Sequence, residues 1–317
     1  MIIQGSSAVV TGGAAGIGLE ISRCLLDRGC GNVAICDISE ERLCKAGAEL
    51  GEYADKVSLH KMDVRNRDEI QRVAEDIVSK WGRVSILFNN AGVVAANSIE
   101  ASEWEDLEFV IDVNLWGVIN CTKIFLPVLK AEKAACIVNV SSVEGIVALP
   151  GNLSYCTSKY AVRGFTEALM MDHKLTRPNV KVCCVHPGFV RTQIMHHNCS
   201  TLNTTHLTPS FLKDAKWINF DLLQKGFSCL GSTTPESAGL QIVNGVARGD
   251  ARIMVGTDAY LLDFVARLLP RVLYRRPVYF TLIPLIMFLV RMVGKKTIAA
   301  AVLLYLAKSR WAIRKSP

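Results

Sequence analysis

The sequence predicts an α/β fold, a doubly wound parallel sheet with helices on both faces, followed by a separate C-terminal segment. Three observations carry this. Short apolar runs alternate with amphipathic stretches from Ala8 to Val255, and periodic strand–helix alternation builds a parallel sheet with right-handed crossovers. The first run breaks into a glycine-rich turn that opens a helix. Past Thr257 the chain turns apolar and basic. A chain of 317 residues can bury a full core, and we read one large domain, 1–257, with an appendage, 258–317.

Ala8 to Thr11 reads as a β-rich run ending in Gly12-Gly13-Ala14-Ala15-Gly16-Ile17-Gly18, with a helical pattern over Leu19 to Arg28. Strand, glycine turn and helix form a dinucleotide-binding opening, in which small residues admit the pyrophosphate and the helix N-terminus offers N–H groups. Taken alone, the turn could equally be a plain tight turn. Val33 to Cys36 reads as the second strand, with Asp37 at its end nineteen residues after Gly18. An acid at that distance accepts hydrogen bonds from adenosine ribose hydroxyls and repels a 2′-phosphate, so NAD is expected over NADP. The alternative is an ordinary loop or capping residue before Ser39-Glu40-Glu41.

A helix over Glu40 to Leu50, a strand over Val57 to Met62 followed by Asp63-Val64, and a helix over Arg67 to Trp81 continue the alternation. Ser85 to Phe88 gives a fourth strand ending in Asn89-Asn90-Ala91-Gly92, and Glu103 to Leu129 a long helix carrying Asn114 near its middle. Ala134 to Val140 is an apolar strand that would deliver Ser142 at the carboxyl end of the sheet, where open α/β sheets bind ligands. Tyr155 and Lys159 are four apart and share one face of a helix. A helix after Pro235 to Val246 and a strand over Arg252 to Val255 would complete the sheet.

These motifs together resemble the short-chain dehydrogenase/reductase family, with its Rossmann-type fold, over about Ser6 to Val255. The matching positions are Thr11-Gly12-x-x-x-Gly16-x-Gly18, Asp63, Asn89-Asn90-Ala91-Gly92, Asn114, Ser142, Tyr155-x-x-x-Lys159, and Pro187-Gly188 with Thr192. The resemblance implies an oxidoreductase acting on CH–OH groups, with Ser142, Tyr155, Lys159 and Asn114 catalytic. It implies that the nicotinamide cofactor is held by Gly12, Gly16, Ile17, Gly18, Asp37, Asp63, Val64, Asn90, Tyr155, Lys159, Pro187, Val190 and Thr192. Tyrosine has an unperturbed pKa near 10, so acid–base work near neutrality calls for a nearby positive charge, and Lys159 is placed to supply it. By the same resemblance Ser142 orients the substrate oxygen, Lys159 also reaches the nicotinamide ribose, Asn114 holds a water linking Lys159 to solvent, and Thr192 binds the carboxamide. No metal is expected: His196-His197 point apart and lack a third ligand.

Gln193 to Thr234 has no clean period and mixes aromatic residues with histidines; the resemblance makes it a substrate lid. The eleven cysteines include no C-x-x-C pair, which argues for reduced thiols rather than a disulfide framework. No signal peptide is read at Met1 to Gln4, and the domain is expected to face the cytosol. From Val265 to Pro317 there are eleven Lys or Arg and no Asp or Glu; against +7 for the whole chain, the remainder carries −4. Apolar runs interleave with the cations, so a membrane surface fits as partner and a nucleic acid does not. Val278 to Val290 and Thr297 to Ala307 are each shorter than the roughly 20 residues of a spanning helix. Joining them would bury Arg291, Lys295 and Lys296 at about 2.5–3.5 kcal/mol each. A monotopic or re-entrant hairpin therefore fits better, and packing on the domain or an oligomer interface is the alternative.

The expected function is hydride transfer between NAD and a lipophilic alcohol or ketone, such as a steroid, retinoid, prostanoid or fatty alcohol, at an endoplasmic-reticulum or lipid-droplet membrane if the source is eukaryotic. The contrasting reading is a membrane-surface dinucleotide-binding scaffold or sensor without turnover. A homodimer or homotetramer is expected from the family resemblance.

Overall fold

The computed structural model describes residues 3–95, 99–100, 102–149, 151–176, 179–192 and 233–270. Seven strands form one sheet in the order β3-β2-β1-β4-β5-β6-β7, and every pairing is parallel. They are β1 (Ser7–Thr11), β2 (Asn32–Asp37), β3 (Val57–Lys61), β4 (Ile86–Asn89), β5 (Ala135–Val140), β6 (Val180–Pro187) and β7 (Arg252–Val255). The connecting helices are α1 (Gly16–Asp27), α2 (Glu40–Glu49), α3 (Arg67–Trp81), α4 (Trp104–Ile111), α5 (Gly117–Ala131), α6 (Leu153–Thr176), α7 (Pro235–Arg248) and α8 (Thr257–Leu268). The strand order reverses between β1 and β4, and that switch point opens the crevice in which such sheets bind ligands.

Alternate strand residues feed two cores because successive side chains point to opposite faces. Val10, Ile35, Phe88 and Val138 pack with Leu25 of α1, Leu43 of α2 and Ile242 of α7. Val9, Ala34, Leu87 and Ile137 pack with Ile70 of α3 and with Cys121 and Phe125 of α5. Each fully buried Leu, Ile or Phe contributes about 1.5–3 kcal/mol, which is why β1, β4 and β5 read as continuous apolar runs rather than alternating ones.

The long helix expected over Glu103 to Leu129 is present as one continuous run, Trp104–Ala131, but it changes pitch at its middle, where Asp112–Trp116 forms a π-helical turn between α4 and α5. One extra residue in a turn leaves the apolar pattern on either side intact, so the sequence period does not reveal it. By length and composition the stretch Trp104–Ala131 could cross a membrane, but half of its apolar window is buried inside the fold, as suits a core helix. The boundary expected at Thr257 also moves. Ala259, Leu262 and Val265 of α8 pack on Val143, Ile146 and Val147 in a third cluster, so the packed body runs through Leu268. The lid expected over Gln193 to Thr234, apart from Thr233 and Thr234, and the tail segments from Val278 onward lie outside the described residues.

Candidate active site

The glycine turn after β1 is shaped by backbone angles and close approaches that favour glycine. Gly12 and Gly16 have φ of 59° and 53°, in the left-handed region that disfavours side chains. A Cβ on Gly12 would lie 2.8 Å from the Ala91 Cα, one on Gly16 would lie 3.4 Å from the Thr192 Cγ2, and one on Gly18 would strike the Gly12 carbonyl. Asn90 locks the turn from the side, its Nδ2 donating to the carbonyls of Thr11 and Gly12 at 3.0 Å each. Thr11 Oγ1 accepts from the backbone N–H groups of Asn90 and Ala91. The turn thus lies between Asn90-Ala91 and Thr192, joining three residues named from sequence: Gly12, Gly16 and Thr192.

Helix α1 opens without a side-chain cap and without an acid in its first turn. In contrast, Ser39, Asn66 and Thr234 cap α2, α3 and α7, each of which also carries acids there. The backbone N–H groups at this end, with the positive end of the helix dipole, suit a phosphate. Asp37 stands at the end of β2, 6 % exposed, its Oδ1 accepting from the Ser39 N–H and the Arg42 guanidinium. Asp63 is held by Arg65, which donates Nε and Nη2 to its carboxylate, and hydrogen bonds to the charged form keep that acid below its ordinary pKa even though burial, the largest influence, pushes the other way. Val64 is buried beside it, packed with Val113.

At the other side of the switch point, β5 delivers Ser141 and Ser142, both buried. Ser142 Oγ accepts from the Glu144 N–H at 3.0 Å and shares a hydrogen bond with the Tyr155 hydroxyl. Ser141 Oγ donates to the carbonyl of Lys159 at 2.8 Å, while Lys159 Nζ donates to the carbonyl of Val140 at 3.0 Å. These reciprocal bonds tie α6 to β5 and fix Tyr155 and Lys159 against Ser142. Lys159 Nζ lies 5.6 Å from the centre of the Tyr155 ring.

Burial holds the Tyr155 phenol above its ordinary pKa, the Glu144 carboxylate adds to that, and the Ser142 hydrogen bond opposes it. The Lys159 ammonium, turned to the Val140 carbonyl, is itself pushed down to about 8 by burial. A low dielectric disfavours both charged forms. The phenol, neutral at pH 7 even when unperturbed, is held more firmly so, while Lys159 at about 8 keeps most of its positive charge at pH 7.

Asn114 sits in the π turn, fully buried. Its Nδ2 donates to the carbonyl of Val93 and to Ser158 Oγ, both at 2.9 Å, and its Oδ1 accepts from the Val93 N–H at 2.8 Å. Both amide donors are thus committed within the protein, so the side chain braces the β4 loop against α6. Asn89 likewise points into the fold, donating to Thr122 Oγ1 and Asn139 Oδ1.

Several partners escaped the sequence reading. His186, fully buried in β6, donates Nδ1–H to the carbonyl of Ser142 at 3.0 Å. Glu144 accepts from Asn152 Nδ2 and Cys156 Sγ, and burial raises its pKa. Asp258 accepts from the Phe189 N–H at 2.6 Å and lies where a Cβ on Gly188 would collide with it. It thereby anchors the loop running from Pro187 through Val190 to Thr192. No spacing rule links Ser142 to a residue 44 positions later, and only sheet pairing brings them together. Among the described residues no group of three or more His, Cys, Asp or Glu could hold a metal, and the cysteines are free thiols.

A hydroxyl, a phenol and an ammonium thus converge at the carboxyl end of β5. The family model described as short chain dehydrogenase matches residues 6–203. The chain belongs to that family. Members are oxidoreductases that use a nicotinamide cofactor on CH–OH or keto groups, and the glycine cradle and uncapped α1 fit such a dinucleotide. Mycobacterium tuberculosis SadH, itself a candidate oxidoreductase, is 35 % identical over 266 residues, which cover 84 % of this chain and 91 % of SadH. The 3-oxoacyl-[acyl-carrier-protein] reductase FabG of Thermotoga maritima is 36 % identical over 61 % of this chain and 77 % of its own. The 3beta-hydroxysteroid dehydrogenase 2 of Eggerthella lenta is 34 % identical over 61 % and 74 %. A short-chain dehydrogenase/reductase from Burkholderia phymatum in complex with NAD superposes with a TM-score of 0.72 at 25 % identity, over 88 % of this chain and 95 % of that one. One from Burkholderia cenocepacia in complex with NADP, 23 % identical, shares the fold with a TM-score of 0.66 over 87 % of this chain and all of that one.

Proposed function

We propose that this oxidoreductase is NAD-dependent and interconverts a lipophilic secondary alcohol and its ketone, or a long-chain alcohol and its aldehyde, at a membrane surface. The observation that carries the cofactor choice is Asp37, a buried carboxylate at the end of β2. It accepts from ribose hydroxyls and opposes a 2′-phosphate.

A nicotinamide dinucleotide bound along this edge of the sheet supplies or accepts the hydride. Gly12, Gly16, Ile17 and Gly18 would hold its pyrophosphate, Asp37 its adenosine ribose, Asp63, Val64 and Asn90 its adenosine half, and Pro187, Val190 and Thr192 its nicotinamide end. Ser142 holds the substrate oxygen beside Tyr155. In the reductive direction the phenol would donate its proton to the carbonyl oxygen and be left as phenolate; in the oxidative direction the phenolate would take the proton of the hydroxyl. Lys159, which shares its helix face with Tyr155, would reach the nicotinamide ribose.

The lipophilic substrate is supported by the basic, apolar composition from Val265 to Pro317 and by the kinship with a reductase of acyl chains and a hydroxysteroid dehydrogenase. Pairing of copies through the helices over Glu103 to Leu129 and Tyr155 to Leu175 is supported by the exposure of Trp104, Trp116 and Met171. The test is a panel of steroid, retinoid, prostanoid and long-chain alcohols and ketones, assayed with both NAD and NADP. Turnover only of small polar alcohols would sink the substrate reading, and nucleotide binding without any turnover would favour a scaffold. Truncation after Leu273 should move the protein from the membrane pellet to the soluble fraction, and a full-length chain already soluble without detergent would refute anchoring.

A further inference from the structure

The adenosine end of the groove carries a cation that the reading of Asp37 leaves without a role. Arg42 lies in the first turn of α2, where Ser39 Oγ accepts its backbone N–H. Its guanidinium reaches back to Asp37 Oδ1 through Nη2 at 2.7 Å and Nε at 3.2 Å. The Ser39 N–H donates to the same oxygen at 3.0 Å. Three donors therefore converge on Oδ1, while among the described residues none donates to Oδ2. The other charges nearby are engaged elsewhere, since Glu40 pairs with Lys61 and Glu41 with Lys45. Arg42 is 29 % exposed and Asp37 6 %, so the carboxylate is inside and the guanidinium stands at the mouth.

We propose that Arg42 is a second determinant of cofactor choice in this chain. It holds Asp37 so that Oδ2 stays free for an adenosine ribose hydroxyl, and once that carboxylate is removed it becomes the cation that receives a 2′-phosphate. The proposal rests on the reading of Asp37 as the ribose acceptor. In the native chain the pair is close to neutral, so a ribose hydroxyl is welcome and a phosphate finds its cation already occupied. Without Asp37, the guanidinium presents several N–H donors in a planar fork that matches phosphate geometry, and its backbone stays fixed by the helix cap.

The test measures NADH and NADPH dissociation constants by nucleotide fluorescence on the full-length chain, so no substrate is needed. Four proteins are compared: native, Arg42→Ala, Asp37→Ser and the double variant. The native chain is expected to bind NADH more tightly, and Arg42→Ala to weaken NADH several-fold without improving NADPH. Asp37→Ser should gain about tenfold or more for NADPH, and the double variant should lose about tenfold of that gain, the size of one charge-assisted hydrogen bond. The NADPH affinity of Asp37→Ser should also fall with added NaCl far more steeply than its NADH affinity. A double variant that binds NADPH as tightly as Asp37→Ser overturns the role of Arg42. A native chain that prefers NADPH refutes the reading of Asp37 instead, and the single-against-double comparison still reports on Arg42. If Asp37→Ser does not fold, Asp37→Asn removes the charge in the same shape.

Discussion

Replacing His186 by asparagine should flatten the loss of stability in acid. His186 is fully buried, and burial pushes its imidazole down from 6.5 to about 4. Nδ1–H donates to the Ser142 carbonyl, and Nε2 is buried with no partner, so the folded chain offers a second proton nothing to bond to. The sign follows from linkage. The unfolded chain takes up a proton below pH 6.5 and the folded chain does not until about pH 4, so this histidine costs no stability above 6.5 and progressively more below it. The displacement is worth about 3 kcal/mol in full, of which about 2.5 kcal/mol is drawn down by pH 4.5. Asparagine places Nδ2 where Nδ1 stood, keeps the bond to Ser142 and does not titrate. Urea unfolding at pH 7.5, 6.0 and 4.5 should show the native protein losing about 2 to 3 kcal/mol more than His186→Asn across that range. His60, whose pKa burial also lowers, is common to both proteins and cancels. Stability curves that run parallel in pH would refute the reasoning.

Tyr155→Phe should keep NADH binding and lower turnover by about 10²–10⁴-fold, the usual worth of a positioned proton donor; retention of most activity in a coupled NADH assay would remove the mechanism. Lys159→Met should abolish turnover yet stabilise the fold by about 1–3 kcal/mol at pH 7. Its ammonium is held at about 8 instead of 10.5 by burial, a penalty present in full below pH 8 and relieved as pH rises toward 10.5, offset in part by the lost bond to Val140. A drop in melting temperature for this variant would count against that assignment. Gly239→Ala should destabilise by about 1–3 kcal/mol through overpacking, because its Cβ would lie 2.7 Å from the backbone of Glu20 where α7 crosses α1. Thermal unfolding checks this, and an unchanged midpoint would show that the two helices can part freely.

Much of the site was legible because its geometry is local. Tyr155 and Lys159 share a face through helical spacing alone, Gly12 to Gly18 announce a turn that side chains would block, and Asp37 ends a strand at a fixed distance from that turn. His186, Arg42, Glu144 and Asp258 were not legible as site partners. Each meets its partner across a strand or helix contact, or through a rotamer, and no composition or period records these. The π turn at Asp112–Trp116 hides for a related reason: an inserted residue changes where Asn114 points without disturbing the apolar pattern.

By itself the sequence determined the doubly wound sheet, the positions of its turns and the candidate site residues, because hydrophobic period, glycine and spacing act within one or two turns of chain. Only the tertiary structure decided how far their proton affinities shift. Burial, which depends on what the rest of the chain packs around them, raises that of the Tyr155 phenol and lowers that of the Lys159 ammonium. It also decided what braces them, since the strand order sets β6 beside β5 and so puts His186 behind Ser142.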